Sequence, residues 1–225
     1  MKKKLISMLC LVLCAMTVTA QTQATPDMKG QNGPFKKGTD FYYITAVDGK
    51  EGVSLFAGDL AKFKEKVTIN LTLDISKCET SKQGWFFWEE AEDNDIPEQK
   101  MQKIVKRLLN EFQSEFNMKT KKGLQLAEPK APVTDAPYEL VIRIRKMNTG
   151  NDSGAWIDDS SMKQGGAVVD GTVELIDTKT GDILCVFAFN RVKSLYGASQ
   201  RSRVGDAMGT VGRKIGKIIK DYIAK

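Results

Sequence analysis

Val67-Thr68-Ile69-Asn70-Leu71-Thr72-Leu73-Asp74-Ile75 alternates without a break, apolar at the odd positions and polar at the even ones. Successive side chains of a strand point to opposite faces, so this segment is a strand with one buried and one polar face. Its apolar side needs a covering layer, and the next periodic segment supplies one. Pro97 opens a helix in which Met101, Ile104, Val105, Leu108, Leu109, Phe112 and Phe116 recur at three- and four-residue steps, a stripe that must lie on a sheet. Beyond Gly123 and the stretch from Pro129 to Pro137, Leu140, Ile142 and Ile144 oppose Glu139, Arg143 and Arg145 in a second half-buried strand. Strand, helix, strand in that order predicts a crossover between parallel strands.

Downstream of a long Gly/Ser/Asp-rich loop from Asn148 to Gly166, the segments Val168 to Ile176 and Ile183 to Val192 flank Asp177-Thr178-Lys179-Thr180-Gly181-Asp182. Glycine stands there where a turn needs positive φ, so the two segments form a hairpin. Phe187 and Phe189 face one side, Val186 and Ala188 the other, which makes the second strand central in the sheet. Upstream, Phe41-Tyr42-Tyr43-Ile44-Thr45 is aromatic and β-branched and reads as another strand, ended by a turn between Gly49 and Gly52.

The last helix, Arg203 to Ala224, places Gly205, Gly209, Gly212 and Gly216 on one stripe. Each glycine costs a helix about 1 kcal/mol relative to alanine, so close approach of the backbone to a strand or to the other helix must offset that cost. Val204, Met208, Val211, Ile215, Ile219 and Tyr222 lie beside the stripe, and Lys214, Lys217 and Asp221 lie opposite. The expected fold is α+β: a two-layer α/β sandwich, with a mixed sheet of about five strands and both helices on one face. Thr68, Asn70, Thr72, Arg143, Arg145 and Glu174 would then line an outer face open to water or to a partner.

The amino terminus sets the compartment. Met1-Lys2-Lys3-Lys4 precedes an apolar run from Leu5 to Met16 and small residues at Val18-Thr19-Ala20, the three parts of a signal peptide over residues 1–20. The run is shorter than the roughly 20 residues a membrane span needs, and no later segment could span. Periplasmic residence or secretion is expected. A lipoprotein is less favoured, because Leu9 and Leu13 stand where a small residue should precede Cys10 and Cys14. Residues 21–38, rich in Gln, Thr, Gly, Pro and Lys, read as a flexible lead-in, and 39–225 as a single domain.

Without Lys2, Lys3 and Lys4, the 34 basic side chains fall to 31 against 28 acidic ones, a net charge of +3. Basic residues are spread along the sequence among carboxylates, which argues against a nucleic-acid binder. Cys78 and Cys185 are the cysteines left after the leader; they are a possible disulfide, or two buried thiols.

The chain has no histidine, which removes the commonest general base, the usual zinc ligand and any Ser-His-Asp arrangement. Ser160 with Lys163, and Lys179-Thr180-Gly181, match fragments of a penicillin-binding signature but lie in a loop and a turn rather than around a cleft. Lys217 after Gly212 and Gly216 lacks the hydroxyl residue and the strand-to-helix setting of a phosphate loop. The acids Glu89 to Asp95, and Asp152, Asp158 and Asp159, lack the spacing of a calcium loop. No cofactor, metal or catalytic residue is expected.

What stands out is Trp85-Phe86-Phe87-Trp88, followed by Glu89, Glu90, Glu92, Asp93 and Asp95, with Trp156 in the long loop. Aromatic rings beside carboxylates suit a protein partner or a sugar face; otherwise the aromatics cap the sheet edge and the acids lie in a solvated loop that favours the amino terminus of the coming helix.

Phe56-Ala57-Gly58-Asp59-Leu60, Pro137 to Ile142, Gly171 to Ile176, and Gly197 through Arg203-Val204-Gly205-Asp206-Ala207 to Lys217 resemble a family of exported proteins from Bacteroidetes-type bacteria over most of the processed chain. More remotely, the element order is similar to the α/β sandwich of the TolB amino-terminal domain and of CsgG. The resemblance implies a fold and an envelope location but no catalytic residues. The expected function is a non-enzymatic cell-envelope accessory protein that binds another protein. The alternative is a glycan or cell-wall binding module using the aromatics from Trp85 to Trp88.

Overall fold

The computed structural model describes residues 22–44, 51–80, 98–148, 166–195 and 200–225. Its elements are β1 (Gly52–Gly58), β2 (Thr68–Asp74), β3 (Glu79–Thr80), α1 (Glu98–Lys119), β4 (Gln125–Leu126), β5 (Tyr138–Asn148), β6 (Val168–Asp177), β7 (Ile183–Lys193) and α2 (Gln200–Ile223). Among the described residues they make one mixed sheet in the order β1-β7-β6-β5-β2-β4, with β3 beside β5. The fold is α+β, with more strands than the five expected. Those missed are β1 and the two-residue strands β3 and β4, too short to carry a period.

β2 and β5 are adjacent and parallel, Asn70 facing Glu139 and Asp74 facing Arg143, as a strand-helix-strand crossover requires. β6 and β7 form the antiparallel hairpin. Gly181 has φ +75 in its turn, and the Asp177 carboxylate accepts the Lys179 and Thr180 amides. β7 lies between β1 and β6, central as expected.

Both helices cover one face of the sheet. Leu108, Phe112 and Phe116 of α1 and Val204, Met208, Val211, Ile215 and Ile219 of α2 share a core with Ile69, Leu140, Ile142, Val173, Leu175, Phe187 and Phe189. The glycine stripe of α2 faces α1. A Cβ on Gly212 would lie 2.4 Å from the Phe112 carbonyl oxygen, and one on Gly216 would lie 2.7 Å from Lys119 Cβ. Gly205 and Gly209 face Arg107, Glu111 and Glu115. Of the two neighbours the sequence allowed, the helix is the one found. Because Gly205 meets Arg107 and Gly216 meets Lys119, the helices run parallel.

The opposite face departs from expectation. Residues 22–44 are not a loose lead-in but a strap laid across the sheet. A second core joins Ala24, Phe35, Phe41 and Ile44 of the strap to Phe56, Ala57, Ile183, Val186 and Ala188 of the sheet. The cause is the second apolar face of β7, which must be buried by something. Phe41, fully buried, meets Phe35 and Phe56 edge-on at 5.2 and 6.2 Å. The strap is tied down by paired backbone bonds between Phe35 and Ile183 and by Gly30 N–H to Phe56 O at 2.8 Å. Of the strand expected at 41–45, residues 41–44 belong to this strap and not to a ladder, so the sandwich gains a partial third layer.

Candidate functional site

β5, β6, β7 and β2 carry their polar side chains to the strap side of the sheet. One cross-strand row reads Asp74, Arg143, Thr172, Ala188, Ser54, each opposite the next. Arg143 is the hub. Its guanidinium bonds Asp74 and donates Nε–H to Glu174 Oε1 at 3.1 Å, and Thr172 Oγ1 lies 3.5 Å from the same oxygen. Glu174 is 1% exposed, and its Oε2 is buried with no hydrogen-bond partner. Arg145, also buried, donates to Ile44 O of the strap at 2.9 Å and lies 3.9 Å from Asp170. Asp170 in turn accepts the Arg191 amide, where the backbone takes φ +49.

These surroundings move the titrations. Burial pushes the Glu174 carboxyl above its ordinary value; Arg143 works against the shift, and Asp40 of the strap adds to it. Burial also opposes the charge of Arg143, but Glu174, Asp74 and Asp40 outweigh it and raise its pKa. For Asp74, desolvation is outweighed by hydrogen bonds from Ser76 and by Arg143, so its pKa falls. Asp40 lies 3.4 Å from Lys77, whose ammonium stands 5.5 Å from the Tyr42 ring centroid, and Tyr42 donates its hydroxyl to Ile144 O at 3.2 Å. Charges thus answer one another across the seam between strap and sheet, an arrangement that fixes the position of the strap.

Three of the residues expected on an exposed face lie on that face but are not open as expected. Arg145 and Glu174 are buried and Arg143 is paired on both sides, whereas Thr68 and Thr72 are exposed. Asn70 exchanges two hydrogen bonds with the Val133 backbone. Cys78 and Cys185 stand as thiols and not as a disulfide; burial pushes the Cys185 thiol far up. Trp85, Phe86, Phe87, Trp88 and Trp156 lie outside the described residues, as do Ser160, Lys163 and the acidic clusters at 89–95 and 152–159. Among the described residues no group of three or more Asp, Glu or Cys could hold a metal ion, and no helix is long and apolar enough to cross a membrane.

Topology gathers the ends of the undescribed segments. Asn148 of β5 faces Val168 of β6, which faces Lys193 of β7. Thr80 of β3 faces Met147, and Gly52 of β1 faces Asn190. Leu195 bonds Asp206 in the first turns of α2 at 2.6 Å, and α1 runs parallel to α2. Segments 45–50, 81–97, 149–165 and 196–199 therefore all leave and re-enter the fold at one end of the sheet.

No family model and no curated protein matches the chain. Among solved structures, it is similar to the PelC dodecamer protein from Paraburkholderia phytofirmans at 15% identity, covering 75% of this chain and 96% of that one, with a TM-score of 0.39. It is similar to a neuraminyllactose-binding hemagglutinin homolog from Helicobacter pylori at 14% identity, covering 72% and 88%, with a TM-score of 0.30. Protein XCC0632 from Xanthomonas campestris, of the DUF330 family model, is similar at 10% identity over 90% of this chain and 99% of that one, with a TM-score of 0.34.

Proposed function

We propose that the chain is a non-enzymatic accessory protein of the bacterial cell envelope that binds another protein through the end of the sheet where strands β3, β5 and β7 finish. One observation carries the reading. Both sheet faces are occupied, one by the helices and the other largely by the strap, while the described residues that flank four segments lie at a single end. Two of these segments contain all three tryptophans of the chain, Trp85, Trp88 and Trp156, together with Phe86 and Phe87. Loops gathered on a rigid scaffold are where binding surfaces are usually built. The signal sequence and the resemblance to exported proteins of Bacteroidetes-type bacteria, with its remoter likeness to the TolB and CsgG sandwiches, support the envelope location.

The test is capture of a defined partner from envelope extract by the protein and by Trp85→Ala/Trp88→Ala, followed by titration of the purified pair. Loss of binding in the double variant supports the reading; equal binding by both proteins, or none by either, refutes it. The aromatics beside acidic residues also fit a glycan or cell-wall module. For that reading the tryptophan emission must change when peptidoglycan or a surface polysaccharide is added. A flat titration dismisses it.

A further inference from the structure

The opposite end of the molecule is electrostatically distinct, and the sequence hides this because its basic residues come from five separated stretches. Lys37 of the strap lies along Gly181 of the β6–β7 turn, with its amide on Asp182, and Lys179 is exposed in the same turn. That turn adjoins the start of β5, since the Thr178 amide bonds Pro137 O. Lys64, in the 3-10 turn Ala61–Lys64, places its ammonium 4.9 Å from the ring centroid of Tyr222 near the end of α2. Lys121 and Lys122 follow α1, and Gly123 beside them abuts Phe63 O and Ile223. All six side chains, with Lys220, are exposed on one pole.

Four of the acidic residues at this pole are engaged locally, while Asp135 and Asp221 are exposed there beside the six lysines. Asp59 accepts the Ala61 amide and the Tyr222 hydroxyl, Glu65 takes Lys62 and Tyr138, and Asp177 and Asp182 take backbone amides. These carboxylates already have hydrogen-bond donors, while all six lysines stay exposed.

We propose that this lysine pole docks on an anionic phospholipid surface and holds the opposite end of the sheet away from the membrane. The chemistry favours lipid over nucleic acid. The six residues are lysines, compact point charges suited to a diffuse sheet of negative charge, with none of the guanidinium forks that read phosphates bidentately. They also come from five separate stretches and not from one helix face. β5 alone spans 11 residues, or about 35 Å of extended strand, so docking would set the far end that distance from the surface. The inference does not depend on what the far end binds.

The chain starting at Gln21, which contains every described residue, is sedimented with vesicles of phosphatidylcholine, with and without about 30% phosphatidylglycerol. Binding to the anionic vesicles alone is expected at low salt, with loss at about 0.5 M salt. Each lysine removed should lower partitioning about five-fold, so Lys64→Gln/Lys121→Gln/Lys122→Gln/Lys179→Gln should bind more than 100-fold more weakly. Lys193→Gln/Arg201→Gln, at the other end, should bind as the parent does. The salt titration of the parent gives an answer even if the quadruple variant folds poorly. No binding at low salt, equal binding by the quadruple variant and the parent, or capture by duplex DNA without capture by vesicles would overturn the proposal.

Discussion

Gly212→Ala and Gly209→Ala, one turn apart on the same helix stripe, should move stability in opposite directions. A Cβ at Gly212 would fall 2.4 Å from Phe112 O and 3.1 Å from Phe112 C. Both are backbone atoms of a buried helix, so no rotamer can relieve the overlap. Restoring an ordinary carbon–oxygen contact requires α1 and α2 to separate by most of an ångström, which loosens Phe112, Phe116, Val211 and Ile215 together. Overpacking against backbone that cannot step aside costs about 2–3 kcal/mol, the upper part of the usual range, and the better helix propensity of alanine returns about 1 kcal/mol. The expected net loss is about 1–2 kcal/mol, or a Tm fall of roughly 3–6 °C for a domain of this size. At Gly209 the nearest atom to a new Cβ is Glu115 Cγ at 3.4 Å, an ordinary contact on a flexible side chain. The propensity term then acts alone, and Gly209→Ala should gain about 0.5–1 kcal/mol. Urea denaturation monitored by circular dichroism reads both. If Gly212→Ala were as stable as the parent, or the two substitutions shifted the midpoint the same way, the close helix–helix approach would be wrong.

Glu174→Gln should raise stability near neutral pH, and its advantage should vanish in acid. Burial lifts the folded-state pKa of Glu174, so its stabilising contribution is complete below the ordinary glutamate value and is lost as pH rises through the lifted one. The difference between variant and parent should therefore grow as pH rises from about 4.5; a constant difference would refute the burial argument. Phe41→Ala removes a fully buried ring from the strap core, at a cost of about 3 kcal/mol. Hydrogen exchange should show the loss first in peptides from 22–44, and uniform deprotection would contradict a separate strap core. Cys185, buried with its thiol pushed up, should react with a disulfide reagent only after denaturant is added; rapid labelling in the native protein would place it wrongly.

Much of the fold was legible because its elements carry strong periods. The alternation in β2 and β5, the apolar stripe of α1 and the Asp177-to-Asp182 turn each specify one geometry. The strap was not legible, since Phe35 and Phe41 sit in a segment of Gly, Pro, Lys and Thr that takes no regular ladder and shows no period to count. Even so, one signal was available: Val186 and Ala188 gave β7 a second apolar face, and two helices on one side cannot cover it. The ionic seam was half legible. Arg143, Arg145 and Glu174 were placed on the correct face but read as exposed, because the cover they bond is remote in sequence, Ile44 reaching Arg145 across 101 positions.

The seam also explains why a polar face can be covered at all. Burying Glu174 beside Asp40 would be unfavourable if Arg143 did not stand between Glu174 and Asp74, and removing one member of such a set leaves a buried charge without compensation. Arg143→Met should therefore cost more than Asp74→Asn. The first leaves Glu174 buried with no cation, whereas the second leaves Arg143 paired with Glu174 and partly open to water, its side chain 30% exposed. A loss of about 3 kcal/mol or more for Arg143→Met, against about 1 kcal/mol for Asp74→Asn, is the expected order in denaturant titrations. Arg143→Met/Glu174→Gln should recover much of the larger loss, because it removes both buried charges together. A double variant whose stability change equalled the sum of the two single changes, with no further recovery, would mean that the two residues are not coupled.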